Sequence, residues 1–263
     1  MSEIRVFSFN IWTDGRADGG ASSGNPRCFA IRRELIKKNF PAYDADIVGF
    51  QETMPAQRQW LIDTFTDYQV CGIGRDRDLQ GESNVVMFKK DKFDLVNLDT
   101  FWLSDTPYMP GSRFTTDQSD CPRICTCAVL LARDTTKRLR VYNTHLDHVG
   151  PVARVQGIEM VLARIASDVQ RYPDTPVVLM GDFNEEPGGI VTRAIDMESD
   201  GLVEATRNIP GTFHGYHPET GTVKIDYIYT NACWEEEKTY ALTDSRDGIY
   251  LSDHYPVMTQ ITI

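Results

Sequence analysis

The stretch Val177-Val178-Leu179-Met180-Gly181-Asp182-Phe183-Asn184 runs from four unbroken apolar residues into a glycine and then toward two polar side chains. An apolar run this short, bounded by turn residues, reads as a buried strand. Gly181 permits a close backbone approach, and Pro187 with Gly188-Gly189 closes the segment in a turn. If the chain stays extended past Gly181, Asp182 and Asn184 point to the same side. Alone, such an Asp/Asn turn merely ends a strand. Its weight comes from other fragments of the same design.

Asp46-Ile47-Val48-Gly49-Phe50 is a short apolar strand with Gln51-Glu52 just beyond it. Glu52 there suits either a helix N-terminal acid near Pro55 or a ligand for a hard cation. Leu139–His145 reads as a strand, and Asn143, His145 and Asp147 follow a period of two. Asn143 and His145 could hold a phosphoryl oxygen between them, and His145 could give a proton to a leaving oxygen. Asn10 closes a first strand over Ile4–Ile11, on the face of Val6 and Ser8. Near the C-terminus, Ser252-Asp253-His254-Tyr255 precedes Pro256 and offers a carboxylate and an imidazole together. Asp226 lies among the apolar and aromatic residues of Lys224–Tyr229. A buried Asp needs a partner, and pairing it with His254 would fix the imidazole tautomer. Acid-rich strand ends converging on one sheet edge point to a metal-dependent hydrolase.

The rest of the chain fills in around these points. Helices are expected over Pro26–Asn39 (Cys28, Ile31 and Leu35 on one stripe), Pro55–Phe65 and Pro151–Gln170. The last is the clearest, with Val152, Val155, Ile158, Leu162, Ile165 and Val169 at three- and four-residue steps. Further strands are expected near Gln69–Ile73, Asn84–Phe88, Phe93–Leu103, Ile124–Leu131, Val223–Tyr229 and Tyr255–Ile263, with loops over Thr13–Asn25 and Ser104–Pro122. Many strands with few helices, without strict alternation, predict an α/β fold in which two mixed or antiparallel sheets pack together with helices outside. No linker-like or repetitive segment divides the 263 residues, so one domain over 1–263 is expected.

Composition narrows the partners. A net charge of −11 opposes a long polyanion and favours a small phosphorylated substrate over nucleic acid. Arg75, Arg113 and Arg123 are candidate clamps for a phosphate, while Trp102, Tyr108, Phe114 and His214 could line a pocket for a ring. Cys121, Cys125 and Cys127 cluster, but C-x3-C-x-C matches no common zinc spacing, and core thiols are the reading adopted. The sequence shows no membrane-spanning run and no signal-peptide pattern, which gives the expectation of a cytoplasmic protein with reduced thiols and no evident protein partner.

Taken in order, Ser8-Phe9-Asn10, Phe50-Gln51-Glu52, Asn143-Thr144-His145-Leu146, Gly181-Asp182-Phe183-Asn184, Ile225-Asp226-Tyr227 and Ser252-Asp253-His254 resemble the signatures of the endonuclease/exonuclease/phosphatase superfamily. Phe101-Trp102-Leu103-Ser104-Asp105-Thr106-Pro107 and His145-Leu146-Asp147-His148-Val149-Gly150 look like a compact subgroup of it. The resemblance implies a DNase I-like four-layer sandwich and a Mg²⁺- or Mn²⁺-dependent phosphohydrolase attacking a phosphodiester or phosphomonoester in line with an activated water. It implies Glu52 as principal metal ligand with Asn10 and Asp253 close by. Asp182 and Asn184 would place the attacking water and a phosphoryl oxygen. His254, oriented by Asp226, would be general base or phosphate contact, and His145, supported by Asn143, would serve the leaving group. Two rivals follow: a nuclease on DNA or RNA ends, which needs a basic groove, and a catalytically silent phospholigand-binding protein, which would lack some of these residues.

Overall fold

A computed structural model describes residues 1–13, 27–199 and 201–263. In chain order it contains β1 (Glu3–Asn10), α1 (Phe29–Tyr43), β2 (Ile47–Thr53), α2 (Pro55–Thr64), β3 (Tyr68–Cys71), β4 (Ser83–Lys89), β5 (Phe93–Trp102), β6 (Ile124–Ala132) and β7 (Arg138–His145). There follow α3 (Pro151–Arg171), β8 (Val177–Asp182), α4 (Ile190–Glu198), β9 (Val203–Glu204), β10 (Asp226–Thr230), β11 (Cys233–Ala241), β12 (Ser245–Arg246), β13 (Ile249–Tyr250) and β14 (Val257–Thr262). The loop expected over Thr13–Asn25 lies, beyond Thr13, outside the described residues, as does the expected helix start at Pro26.

Among the described residues the strands form two six-stranded sheets, ordered β11-β14-β1-β2-β4-β3 and β5-β6-β7-β8-β10-β9, and a small β12-β13 hairpin. Each large sheet is mixed. Its one parallel pair, β1 with β2 or β7 with β8, is joined by a crossover through α1 or α3. Three apolar clusters define four layers. Ile4, Val6, Ile47, Val141, Val178 and Met180 pack between the sheets. Phe7, Phe9, Val48 and Phe50 pack with Ile36 and Phe40 of α1 and Leu61 of α2. Tyr142, Leu179 and Tyr227 pack with Ile158, Val161 and Leu162 of α3 and Val191 of α4. The expected α/β sandwich of two packed mixed sheets flanked by helices is therefore the architecture observed.

The period-two alternation of the strands explains where polar residues collect. The inward row of β1 reads Ile4, Val6, Ser8, Asn10; that of β2 reads Ile47, Gly49, Gln51. The inward row of β7 reads Leu139, Val141, Asn143, His145, and that of β8 reads Val178, Met180, Asp182. Each row starts apolar and ends polar, so the layer between the sheets is greasy at one end and hydrophilic at the other. At the changeover, Asn143 donates to the carbonyls of Phe50 (2.9 Å) and Val85 (2.8 Å) and accepts from Gln51 Nε2 at 2.7 Å. This buried clasp ties one sheet to the other.

Several elements differ from the sequence reading. In α1 the inward residues are Phe29, Arg32, Ile36 and Phe40, and Ile31 is exposed. Arg32 turns inward because its guanidinium donates to the carbonyls of Ile11, Trp12, Leu251 and Arg27, a role invisible to an apolar-stripe search. In α3, Ala153, Gly157 and Val161 line the buried face and Val152 is exposed. The unforeseen β11 is acid-rich and sits at a sheet edge, where charge discourages further strand pairing. The 104–122 loop is pinned: Asp117 accepts from the N–H groups of Val152 and Ala153 at the start of α3. Cys125 and Cys127 are buried free thiols, as the alternation implied. No helix among the described residues is long and apolar enough to cross a membrane.

Candidate active site

The polar ends of β1, β2, β7 and β8 meet at a cavity of about 400 Å³. Parallel strands bring their C-terminal ends to it; antiparallel β10 and β14 bring their N-terminal ends, Asp226 and the Asp253-His254 loop. Glu52, Asp182, Asn184, Asp253, His145 and His254 all line this cavity. The convergence spans the rims of both sheets, where the sequence reading had foreseen one sheet edge.

Asn10 stands at the centre of the carboxylates. Its Nδ2 donates to Glu52 Oε1 and to Asp182 Oδ2, both at 3.0 Å, and its Oδ1 accepts from the Trp12 N–H. By strand parity Glu52 would face α1 and α2. A φ of 57° at Glu52 and a register shift between Phe50 and Thr53 turn it back toward the cavity. A left-handed non-glycine residue is a strained choice, tolerated where geometry demands it. Glu52 does not cap α2; Gln57 does, accepting from the Met54 N–H, while Glu52 Oε2 accepts from the Thr13 N–H.

Gly181 sets the position of Asp182. Its φ is 148°, and a Cβ there would lie 1.8 Å from the Thr144 carbonyl oxygen. Only glycine lets β8 pass β7 this closely, which places Asp182 level with His145 in the strand register. Asp182 Oδ2 lies 3.6 Å from His145 Nε2 and 3.8 Å from His254 Nε2. These separations are longer than a direct hydrogen bond, and an oxygen lodged beside the pair would be in reach of both atoms. Extension ends at Asp182, because Asn184 has a φ of 50°. Asn184 still reaches the cavity, held by its side-chain donation to the Leu146 carbonyl at 3.1 Å and its backbone donation to Asp182 Oδ1 at 2.9 Å.

The expected Asp226–His254 pair is formed, with Nδ1 donating to Oδ2 at 2.8 Å. Burial works to lower the His254 pKa, but the Asp226 carboxylate overrides it and holds the imidazole well above its usual range. His145 is opposite in character: burial, then the charges of Arg123 and Arg75, push it well below 6.5. Burial raises the Asp182 carboxyl to about 7, with the Asp226 charge adding to it. The site thus holds one cationic and one neutral imidazole around a carboxyl that titrates near neutrality.

Asp182, Asp226 and His254 place ligand atoms within 4.8 Å of one another. Two of the three are committed to each other by the short Nδ1–Oδ2 bond, so that trio is a weak cage for a cation. Glu52 and Asp253 line the cavity and present carboxylate oxygens instead, while Asn10, expected beside the cation, turns its Nδ2 toward Glu52 and its Oδ1 to the Trp12 N–H. Burial raises the Asp253 carboxyl, against the opposing charge of His254. The carboxylate oxygens of Glu52 and Asp253 are donors of the kind that Mg²⁺ or Mn²⁺ takes.

Three sequence-based assignments are corrected. Asn143 is spent on the inter-sheet clasp and touches neither the cavity nor His145. Arg113 points away, to the Ser119 carbonyl and the exposed Asp120. Of the aromatic residues considered, Trp102 and Phe114 are packed in the interior, Tyr108 is exposed beside Arg164, and His214 stacks among Tyr216, Tyr250 and Tyr255. The rings that do line the cavity are Trp12 and Phe213. Trp12, just past the first strand, carried a positional signal; Phe213 and the cavity acid Glu82 carried none. Arg75 and Arg123 line the cavity, and His148 joins them.

Comparison with known proteins agrees with this geometry. The chain is 27% identical to human 2′,5′-phosphodiesterase 12 over 70% of its length, and it spans between 34% and 59% of the length of the curated relatives it matches. An endonuclease/exonuclease/phosphatase structure from Bacteroides vulgatus superposes with a TM-score of 0.86 and 27% identity, covering 100% of both chains. A mannosyl-6-phosphatase of Bacteroides thetaiotaomicron superposes with a TM-score of 0.84 and 27% identity, covering 99% of this chain and 100% of that one. Phosphoester hydrolysis is the chemistry this company supports. A family model for endonuclease/exonuclease/phosphatase proteins matches residues 7–254, and the chain belongs to that family.

Proposed function

We propose that residues 1–263 act as one catalytic domain that hydrolyses a phosphomonoester or phosphodiester of a small molecule with Mg²⁺ or Mn²⁺. The observation that carries this reading is the meeting of Glu52, Asp182 and His254 in one cavity, with Asn10 bridging the two carboxylates. The interleaving of β14 with β1 supports a single unit. The −11 charge and the cavity's modest volume favour a small substrate over a polynucleotide, as does the likeness to a mannosyl-6-phosphatase.

Glu52 would hold the cation, with Asn10 and Asp253 beside it. When bound, the cation would polarise the phosphoryl oxygens and offset the charge that develops on them. Asp182 Oδ2, flanked by His145 and His254, accepts the proton of the attacking water. The His254 imidazolium, steadied by Asp226, contacts a phosphoryl oxygen, so of its two candidate roles the phosphate contact is preferred. Neutral His145 stands ready at the leaving oxygen. Asn184, fixed by the Leu146 carbonyl, orients the water or phosphoryl group.

The test is a panel of sugar phosphates, small phosphodiesters and a single-stranded oligonucleotide, each assayed with Mg²⁺, Mn²⁺ or EDTA. Cation-dependent turnover of a small ester, lost in His254→Ala, is expected. Binding of phosphate esters with no turnover on any of them would overturn the hydrolase reading in favour of a ligand-binding protein.

A further inference from the structure

Beside the carboxylates, the cavity is lined by a second group of side chains, one of which keeps a buried, unspent donor behind the cavity wall. Arg123 is 4% exposed, and its guanidinium is gripped from behind. Nε faces Asp147 Oδ2 at 3.4 Å, and Nη2 donates to His148 Nδ1 at 2.8 Å. Asp147 is itself fixed by the N–H groups of Ser119, Val149 and Gly150 and by the Ser119 hydroxyl. Arg123 Nη1 is buried and has no partner among the described residues. Arg75 lines the same cavity, tied to Glu82 Oε2 at 2.8 Å, with its carbonyl held by Trp102 Nε1. Burial, and then the charge of Arg75, disfavour the charged form of Arg123. A rigid, buried guanidinium with an orphan N–H beside a second arginine is costly unless an anion completes it.

Resting on the hydrolase reading above, we infer that the substrate is a phosphomonoester, and that Arg123, with Arg75 beside it, grips the terminal oxygen that a diester would have capped with carbon. At neutral pH a monoester brings about two negative charges and three terminal acceptor oxygens. The cation site and the imidazolium engage part of this set; Arg123 Nη1 takes the remainder in a charge-assisted bond. In the reaction the water oxygen bonds to phosphorus as the ester P–O bond breaks. The water proton reaches the departing oxygen by way of the site's acid–base groups, giving the alcohol and inorganic phosphate with no change of oxidation state. A rival account exists on the same residues. A space of about 10 Å³ bordered by Arg75, Glu82, Arg123 and His145 has room for one water, which would satisfy Nη1 structurally.

The two accounts separate with 4-nitrophenyl phosphate and methyl 4-nitrophenyl phosphate, which share a leaving group and differ in one capped oxygen. The full chain with Mg²⁺ is expected to prefer the monoester. Arg123→Gln should lower kcat/KM on it by about 10- to 100-fold while changing the diester by less than about threefold. Arg123→Lys, which keeps the charge and the fold but loses the fork, should fall between, and it carries the test should the glutamine variant not fold. Equal losses on both esters, or no wild-type preference, overturn the inference. If neither ester is turned over, the panel above decides the hydrolase reading, and calorimetry decides the role of Arg123. Binding of inorganic phosphate but not dimethyl phosphate, weakened in the variants, supports it; equal binding of both, or of neither, refutes it.

Discussion

The two central parallel pairs, β1/β2 and β7/β8, are built alike and finish differently. Each is crossed over by a helix, each presents an inward row that turns polar at the same end, and each meets the other through the Gln51–Asn143 contact. The β1/β2 pair ends in Asn10 and Glu52, a carboxamide and a carboxylate suited to a hard cation. The β7/β8 pair ends in His145 and Asp182, groups suited to moving a proton. One framework used twice ends in two different sets of functional groups, and the difference lies in the last residue or two of each strand.

That division can be broken experimentally. Glu52→Gln and Asp182→Asn should each lower turnover by about 10³-fold or more, but for different reasons. Mg²⁺ should raise the Tm of the wild type and of Asp182→Asn, and leave Glu52→Gln unmoved, in differential scanning fluorimetry. A Mg²⁺ shift retained by Glu52→Gln and lost by Asp182→Asn would reverse the assignment. In EDTA, Asp182→Asn should be at least as stable as the wild type at pH 8. Burial raises the Asp182 carboxyl to about 7, so its contribution is present at low pH and lost as pH rises through that value.

The contact between the pairs comes next in size. Asn143→Ala removes its donations to two buried carbonyls and one of the acceptors of Gln51, so urea denaturation should show a loss of about 3 kcal/mol with the slope preserved. Activity per folded molecule should persist, since Asn143 does not reach the cavity. A smaller effect sharpens the β7/β8 side, which alone carries Asp147. Burial works to raise this carboxyl, but the Gly150 N–H and Ser119 outweigh it and hold it at about 2. A depressed carboxyl stabilises the fold above its unfolded value near pH 4 and loses that contribution as pH falls through the folded one. Wild type should therefore lose about 2 kcal/mol relative to Asp147→Asn between roughly pH 5 and pH 1, followed by equilibrium denaturation. Smallest of all, Arg113→Ala lies outside both pairs and should change kcat/KM by less than about twofold and stability by less than about 0.5 kcal/mol.

Much of this was legible in the chain. Strand ends were marked by apolar runs meeting polar residues, and a period of two sent Asn10, His145 and Asp182 to a common layer. The pairing of Asp226 with His254 followed from the need of a buried acid for a partner. What escaped was set by tertiary demands. Asn143 has the same parity as His145, yet one step back along the inward row lies the sealed interior, where an amide serves backbone carbonyls and not a ligand. Arg113 and Arg123 look alike as residues bracketing a loop. Only the fold shows that Asp147 and His148 anchor one of them inside while Asp120 draws the other out. Arg32 defeated the search for a helical stripe because its buried partners are carbonyls of distant loops.

The pairing of β1 with β14 has a consequence for how the molecule is made. Glu3 sits opposite Thr262, so one flank of the first strand waits for a segment translated after every other element described above. Until that segment is made, the flank is an open hydrogen-bonding edge. The loop bearing Asp253 and His254 arrives with the same late segment. A nascent chain halted before it would lack both a finished sheet and the Asp253 and His254 side chains that line the cavity.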